Sequence, residues 1–143
     1  MPMSVDFYVL KAGNTAAALL LACRLTEKAY AKGNTAYVYC DTPQNAQSFD
    51  QLLWTFKEEA FIPHALTQQR AAAKAPIVIG CDLKNLDRDY DILINLHPEV
   101  YSDPPPFQRI LDIVANDAIL KEHGRQRYKH YRDAQYPLNL HEL

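Results

Sequence analysis

Lys121, Arg125, Lys129 and Arg132 stand at i, i+4, i+8 and i+11. At about 100° per residue, that spacing projects four cations along one stripe of a helix. Glu122 is the only acid within the span. Like charges at i, i+4 repel by a few tenths of a kcal/mol. A helix dipole favours cations in its last turn, but this stripe begins in the first half, where the dipole gives no benefit. Tyr128 and Tyr131 interleave with the cations, and Ile113 and Val114 end the strand just before them. An apolar slot flanked by cations suits a short acidic peptide that ends in an apolar side chain and a carboxylate. A solvated basic face is the competing account, and the residue types fit both. DNA is the rival anion; one short stripe on a chain of net charge -2 would hold it weakly and with strong salt dependence. Gly124, inside the helix, costs about 1 kcal/mol against alanine. It predicts a close approach of another backbone or of a ligand.

A second group is Trp54-Thr-Phe56 with Phe61-Ile-Pro-His64. Trp54 is the only tryptophan. Taken alone, these residue types favour core aromatics. Exposed, they would anchor a partner protein, because aromatics are enriched among interface hot spots.

Other chemistry is poorly supported. Cys23, Cys40 and Cys81 are odd in number, far apart and without a Cys-x-x-Cys, which disfavours a disulfide framework or a zinc site. Each lies in an apolar stretch and reads as a buried, reduced thiol. Cys40 and Cys81 each follow a strand, so a small enzyme using one of them on a nucleotide-like substrate is the alternative from another class. His64, His97, His123, His130 and His141 show no i, i+4 ligand spacing and no grouping with cysteine. No metal or other cofactor is expected. The turn after the first strand, Lys11-Ala-Gly-Asn-Thr15, holds one glycine, where a P-loop or a dinucleotide fingerprint needs several. Asp41 reads as a helix cap rather than a ribose-binding carboxylate. Asp6 lies too early in its strand to join a carboxylate cluster, and no Gly-x-Ser-x-Gly elbow occurs.

The elements that must position these residues follow from periodicity and punctuation. Val5–Leu10 is β-branched and aromatic and reads as a strand. Asn14 or Thr15 caps a helix with apolar residues at 18, 21, 22, 25, 29 and 30, which Gly33 stops. Thr35–Cys40 is a second strand. Asp41 or Thr42 caps a second helix, with Pro43 early in it, that runs to about Trp54. Phe61–Leu66 is short and extended, with Pro63 forbidding a long central strand. Thr67–Lys74 reads as a loop. Ile77–Gly80 and Asp91–Leu96 are strands, nearly continuous in apolar residues as strands covered on both faces are. Pro104-Pro105-Pro106 marks a stiff loop. Arg109–Val114 is the last strand. Asn116 or Asp117 caps a helix reaching about Asp133, and Pro137 forbids its continuation. This order predicts an α/β fold: a Rossmann-like, largely parallel twisted sheet with flanking helices and no nucleotide-binding loop.

Composition sets the outer bounds. The chain has 143 residues, 48% apolar and 22% charged, which suits one globular α/β domain over 1–143. With 15 basic and 17 acidic side chains, it is not built to grip nucleic acid by bulk charge. The longest apolar run, Ala16–Cys23, is eight residues, far short of the roughly 20 a membrane helix needs. The first residues lack a basic and apolar leader. These features predict a cytoplasmic protein with no membrane contact.

Val5–Leu10 opening the chain, Leu53-Trp54, Phe61-Ile-Pro-His64, Asp91–Leu96 and Arg125-Gln-Arg-Tyr-Lys-His-Tyr-Arg132 together resemble the chi subunit of bacterial DNA polymerase III. The likeness runs through nearly the whole chain, in order and at matching spacings. Thr67–Lys74, Gly124 and the Tyr136–Leu143 tail depart from the pattern. The resemblance implies a non-catalytic clamp-loader accessory protein with a Rossmann-like fold that binds no nucleotide. It implies a protein that links the clamp loader, through the psi subunit, to the acidic C-terminal tail of single-stranded DNA-binding protein, so that DNA is reached only indirectly. By matching position, Lys121, Arg125 and Lys129, with Arg132 continuing the stripe, would contact the tail's acids or terminal carboxylate. Val114 and Tyr128 would line the slot for its terminal phenylalanine. Trp54 and Phe61, with Ile62 and His64 of the same segment, would form the psi interface, a surface that a helicase partner can share.

Overall fold

A computed structural model describes residues 4–59, 61–84, 86–100 and 107–143. Its elements are β1 (Ser4–Val9), α1 (Thr15–Ala31), β2 (Ala36–Tyr39), α2 (Pro43–Thr55), β3 (His64–Leu66), β4 (Ile77–Gly80), β5 (Ile92–Asn95), β6 (Arg109–Val114), α3 (Ala118–Asp133) and β7 (Leu138–Glu142). Each helix starts at the polar residue that the sequence offers. Asn14 Oδ1 accepts from Ala17 N at 3.2 Å, Thr42 Oγ1 from Asn45 N at 3.1 Å and Asp117 Oδ2 from Leu120 N at 2.9 Å. These bonds satisfy N–H groups that a helix start otherwise leaves unpaired. Pro43 takes the first turn of α2, where its missing N–H costs nothing. Gly33, at φ +81°, ends α1 in the left-handed region that glycine enters without penalty.

The strands form one sheet in the order β3-β4-β2-β5-β6-β1-β7, and every neighbouring pair is parallel. Parallel neighbours need crossovers, so helices must cover the faces. On one face α1 and α2 pack Ala22, Cys23, Phe49 and Leu53 against Val38, Ile79, Ile94 and Ile113. On the other, Tyr131 of α3 packs with Phe7, Leu93, Ile110 and Val114. Alternate residues of β6 therefore serve opposite layers, and all of Ile110–Val114 is buried. This two-sided burial is the reason Ile77–Gly80 and residues 92–94 are apolar throughout rather than alternating.

The sheet departs from expectation at its far edge. Arg109–Val114 is a strand but not the last one: β7 follows α3 and pairs in parallel with β1. Gln135, at φ 65°, closes α3 with N–H bonds from Gln135 and Tyr136 back to Arg132 O and Tyr131 O. Pro137 then starts the extended run, its carbonyl accepting from Val5 N at 2.9 Å. Thr67–Lys74 is also not all loop; Arg70–Ala73 forms a 3-10 turn with Ala72 buried. The Pro104–Pro106 loop lies outside the described residues.

Asp6, read as outside any carboxylate cluster, is buried and paired instead with an arginine and a histidine, one on each side. Arg109 Nε donates to its Oδ2 at 2.8 Å, and His141 Nε2 lies 3.1 Å from its Oδ1. The His141 ring stacks on Tyr8 at 4.7 Å. Burial pushes the Asp6 pKa up, but the His141 and Arg109 hydrogen bonds and charges outweigh it and hold the carboxyl below its usual value. Three neighbouring strands, β6, β1 and β7, are thereby tied by side chains as well as by backbone.

Candidate functional site

α3 lies across β6 and β1 in an orientation fixed from beneath. Arg127 is buried and makes a forked contact with the fully buried Asp112, at 2.9 Å from Nε to Oδ2 and 2.8 Å from Nη2 to Oδ1. Its Nη1 also donates to the Pro98 carbonyl. Asn95 Nδ2 and Tyr131 Oη complete the Asp112 shell at 3.3 and 3.4 Å. A buried charge needs such partners, and this network fixes which side of α3 faces the sheet. One turn away, Gly124 lets the helix sit close. A Cβ there would lie 2.9 Å from Val114 Cγ2 and 3.2 Å from its Cγ1. The close approach expected at Gly124 is thus made by a side chain of β6, not by a backbone or a ligand.

With α3 so placed, its opposite flank borders a groove of about 530 Å³. Phe7, Val9 and Leu10 at the end of β1 and Val114 at the end of β6 form its apolar base. Lys121, Gly124, Arg125 and Tyr128 line it from α3. The Tyr128 ring meets Phe7 edge-on at 5.3 Å, which steadies it. Lys11, Leu140 and Glu142 complete the lining. The Arg125 side chain is exposed and lies 3.1 Å from Glu122. Of the residues expected at a peptide slot, the fold brings Val114, Lys121, Arg125 and Tyr128 together. Lys129 and Arg132 are exposed farther along α3 and do not line the groove; Arg132 lies 3.7 Å from Asp133. Sequence reasoning missed Lys11, Leu140 and Glu142. Leu138 and Leu140, alternating just after Pro137, were the available signal for the strand that carries two of them.

The second group lies beside β3, at the opposite edge of the sheet. Trp54 is 47% exposed and Phe61 82%, with their rings edge-on at 6.2 Å. The core placement that the residue types favoured is therefore not what the fold adopts. Ile62 and His64 are buried instead. His64 Nδ1 lies 2.6 Å from Ile62 O and Nε2 3.1 Å from Asp50 O, and its ring sits 4.2 Å from Trp54. These two residues hold the exposed pair from below rather than offering surface themselves.

A third region is a cleft of about 260 Å³ outside the carboxyl ends of β2, β5 and β6, lined by Cys40, Asp41, His97 and Arg127 among others. Open parallel sheets commonly bind ligands in this place. Here burial pushes the Cys40 thiol to about 12 and lowers the pKa of His97, so neither is charged near neutrality as a thiolate–imidazolium pair requires. Burial likewise raises Cys81. Among the described residues no group of three or more His, Cys, Asp or Glu is placed to hold a metal ion. No helix among them is long and apolar enough to cross a membrane.

Comparison with known proteins bears on the whole chain. Residues 2–139 match the family described as DNA polymerase III chi subunit, HolC. DNA polymerase III subunit chi of Pseudomonas aeruginosa is 36% identical over 139 residues, covering 97% of this chain and 96% of the relative. The Haemophilus influenzae protein of the same name is 32% identical over 133 residues, covering 92% of each chain. That of Escherichia coli is 30% identical over 140 residues, covering 95% of each. The crystal structure of T4 UvsW superposes with a TM-score of 0.69 at 10% identity, over 99% of this chain and 41% of that one. At that identity the likeness is one of fold alone.

Proposed function

The chain belongs to the DNA polymerase III chi subunit family, an accessory rather than a catalytic subunit, and on that premise we propose that it joins two proteins through two separate surfaces. The α3 groove takes the acidic C-terminal tail of single-stranded DNA-binding protein. The Trp54–Phe61 surface takes the psi subunit of the clamp loader, and a helicase partner can use the same patch. DNA is reached through these partners.

The observation that carries this reading is the groove itself. It sets Lys121, Arg125 and Tyr128 beside an apolar base that includes Val114. A flexible acidic tail is first drawn in by charge, which raises the rate of encounter. The terminal aromatic ring then fills the apolar base, while the guanidinium and ammonium groups take the terminal carboxylate and preceding acids. The two halves of the ligand demand different residues, and both kinds are present within one groove. Docking needs no rearrangement of α3, because the Asp112–Arg127 network already holds it. The exposed Trp54 and Phe61 offer a contiguous aromatic surface of the kind that anchors interfaces, with His64 and Ile62 fixing it in place.

Calorimetric titration with a nine-residue acidic peptide ending in an Asp-Phe carboxylate tests the groove. The expected result is binding in roughly the micromolar range, about -8 kcal/mol, weakened by salt and lost when the terminal phenylalanine is removed. Absence of binding at low salt would overturn the tail reading and leave only the Trp54–Phe61 surface as a partner site.

A further inference from the structure

The groove has two walls, and only the α3 wall was anticipated. On its β1–β7 side the groove is lined by Lys11, the residue that leaves β1 and enters the turn to α1. The backbone around it is held by Leu143, just after β7: Leu143 N donates to Val9 O at 2.9 Å, and Lys11 N donates to Leu143 O at 2.8 Å. Its ammonium lies 3.4 Å from a carboxylate oxygen of Glu142, and the two side chains are 66% and 53% exposed. Both residues line the groove together with Lys121 and Arg125.

We infer that Lys11 is a second cationic wall of the acidic-peptide groove, and that Glu142 occupies it until a carboxylate of the incoming peptide takes its place. The inference rests on the acidic-peptide reading and deepens it. Three cations and one acid line this groove, so an acidic peptide finds net opposite charge there. An ion pair between exposed side chains is worth little, because water screens it and two flexible chains must be ordered to make it. Displacing Glu142 therefore costs less than a peptide bearing several carboxylates gains at Lys11, but the cost is not zero. Lysine suits this role: its ammonium is a compact charge on a flexible stem and does not demand the planar geometry of a guanidinium. Glu142 sets specificity as well as position, because a ligand without acidic groups cannot displace it and must bind beside an unexchanged pair.

The test is calorimetric titration of the full chain with the nine-residue acidic peptide at low salt. It compares the parent with Lys11→Gln, Glu142→Gln, the double variant, and Glu58→Gln, which makes the same charge change at a distant exposed site. Lys11→Gln should weaken binding about two- to fivefold, and Glu142→Gln should strengthen it by a similar factor. Glu58→Gln should leave affinity unchanged. In the Lys11→Gln background, Glu142→Gln should no longer strengthen binding. Unchanged affinity in Lys11→Gln would overturn the second wall. So would a gain from Glu142→Gln that persists without Lys11, since that would be a diffuse charge effect. Should the parent itself fail to bind the peptide, the groove reading falls, and this inference with it.

Discussion

The groove at the β1–β7 end of the sheet and the aromatic patch beside β3 are built by different means. Residues 7, 11, 114, 125 and 140 meet in the groove from four separate elements, whereas Trp54, Phe61 and their supports come from one short stretch. Cations rim an apolar base in the first, while two exposed rings make up the second. With seven strands spaced about 4.8 Å apart, the two regions stand roughly 25–30 Å from each other. A charged groove gives steering, salt sensitivity and preference for carboxylates. An aromatic patch gives salt-insensitive burial, at roughly 25 cal/mol per Å². Distance and differing physics would let one small sheet hold the two proposed partners at once.

The groove depends on a division of labour within α3. Arg127 and Arg125 are two residues apart, yet one is 4% exposed and committed to Asp112 while the other faces solvent beside Glu122. Removing the buried member should have the largest effect. Arg127→Ala strands the Asp112 carboxylate in the core and should cost about 3–5 kcal/mol of stability, read by denaturant unfolding. Peptide binding should fall with it, since the helix loses its seat. A stable Arg127→Ala protein would show that packing alone orients α3.

Arg125→Ala should divide the two arginines in the opposite sense. It should cost about 2–4 kcal/mol of peptide affinity and leave unfolding unchanged, because its ion pair is exposed. Next in size, Trp54→Ala or Phe61→Ala should weaken psi binding by about 1–3 kcal/mol in a pull-down titration or calorimetry and leave peptide affinity untouched. Loss of peptide binding in either aromatic variant would join the two regions into one site and end the comparison.

The smallest effect concerns pH. Asp6 titrates below its ordinary value of 3.8 in the fold, so the unfolded chain binds the proton more readily. The stability it contributes is present above pH 3.8 and is lost as pH falls through its lower folded value. Asp6→Asn should lower stability at neutral pH, and its difference from the parent should close below pH 3.8. Thermal unfolding across that range reads the effect. Because Asp6 ties β6, β1 and β7, peptide affinity should also drop in this variant while psi affinity does not.

Much of this molecule is local and was legible as such. Asn14, Thr42 and Asp117 cap their helices through their own side chains, Gly33 ends α1, and runs such as Ile77–Gly80 form strands wherever both faces are covered. The α3 stripe was also local, since helical spacing alone lines up Lys121, Arg125, Lys129 and Arg132. What spacing could not decide is which of those cations borders a cavity. That depends on how the helix is rolled, and the roll is set by Arg127, Asp112 and Gly124, contacts between residues that are not neighbours in the chain. Exposure of Trp54 and Phe61 was likewise invisible in residue type, because an aromatic side chain favours a core until the neighbouring elements are placed and leave it at the surface. β7 shows the limit most plainly. Five residues at a chain end carry little periodic signal, and their strand exists because β1 presents an open edge to pair with. Sequence determined the other elements, because caps, glycine and periodicity act within a few residues. Only the tertiary structure made the groove, because its walls are brought together by sheet order and helix seating.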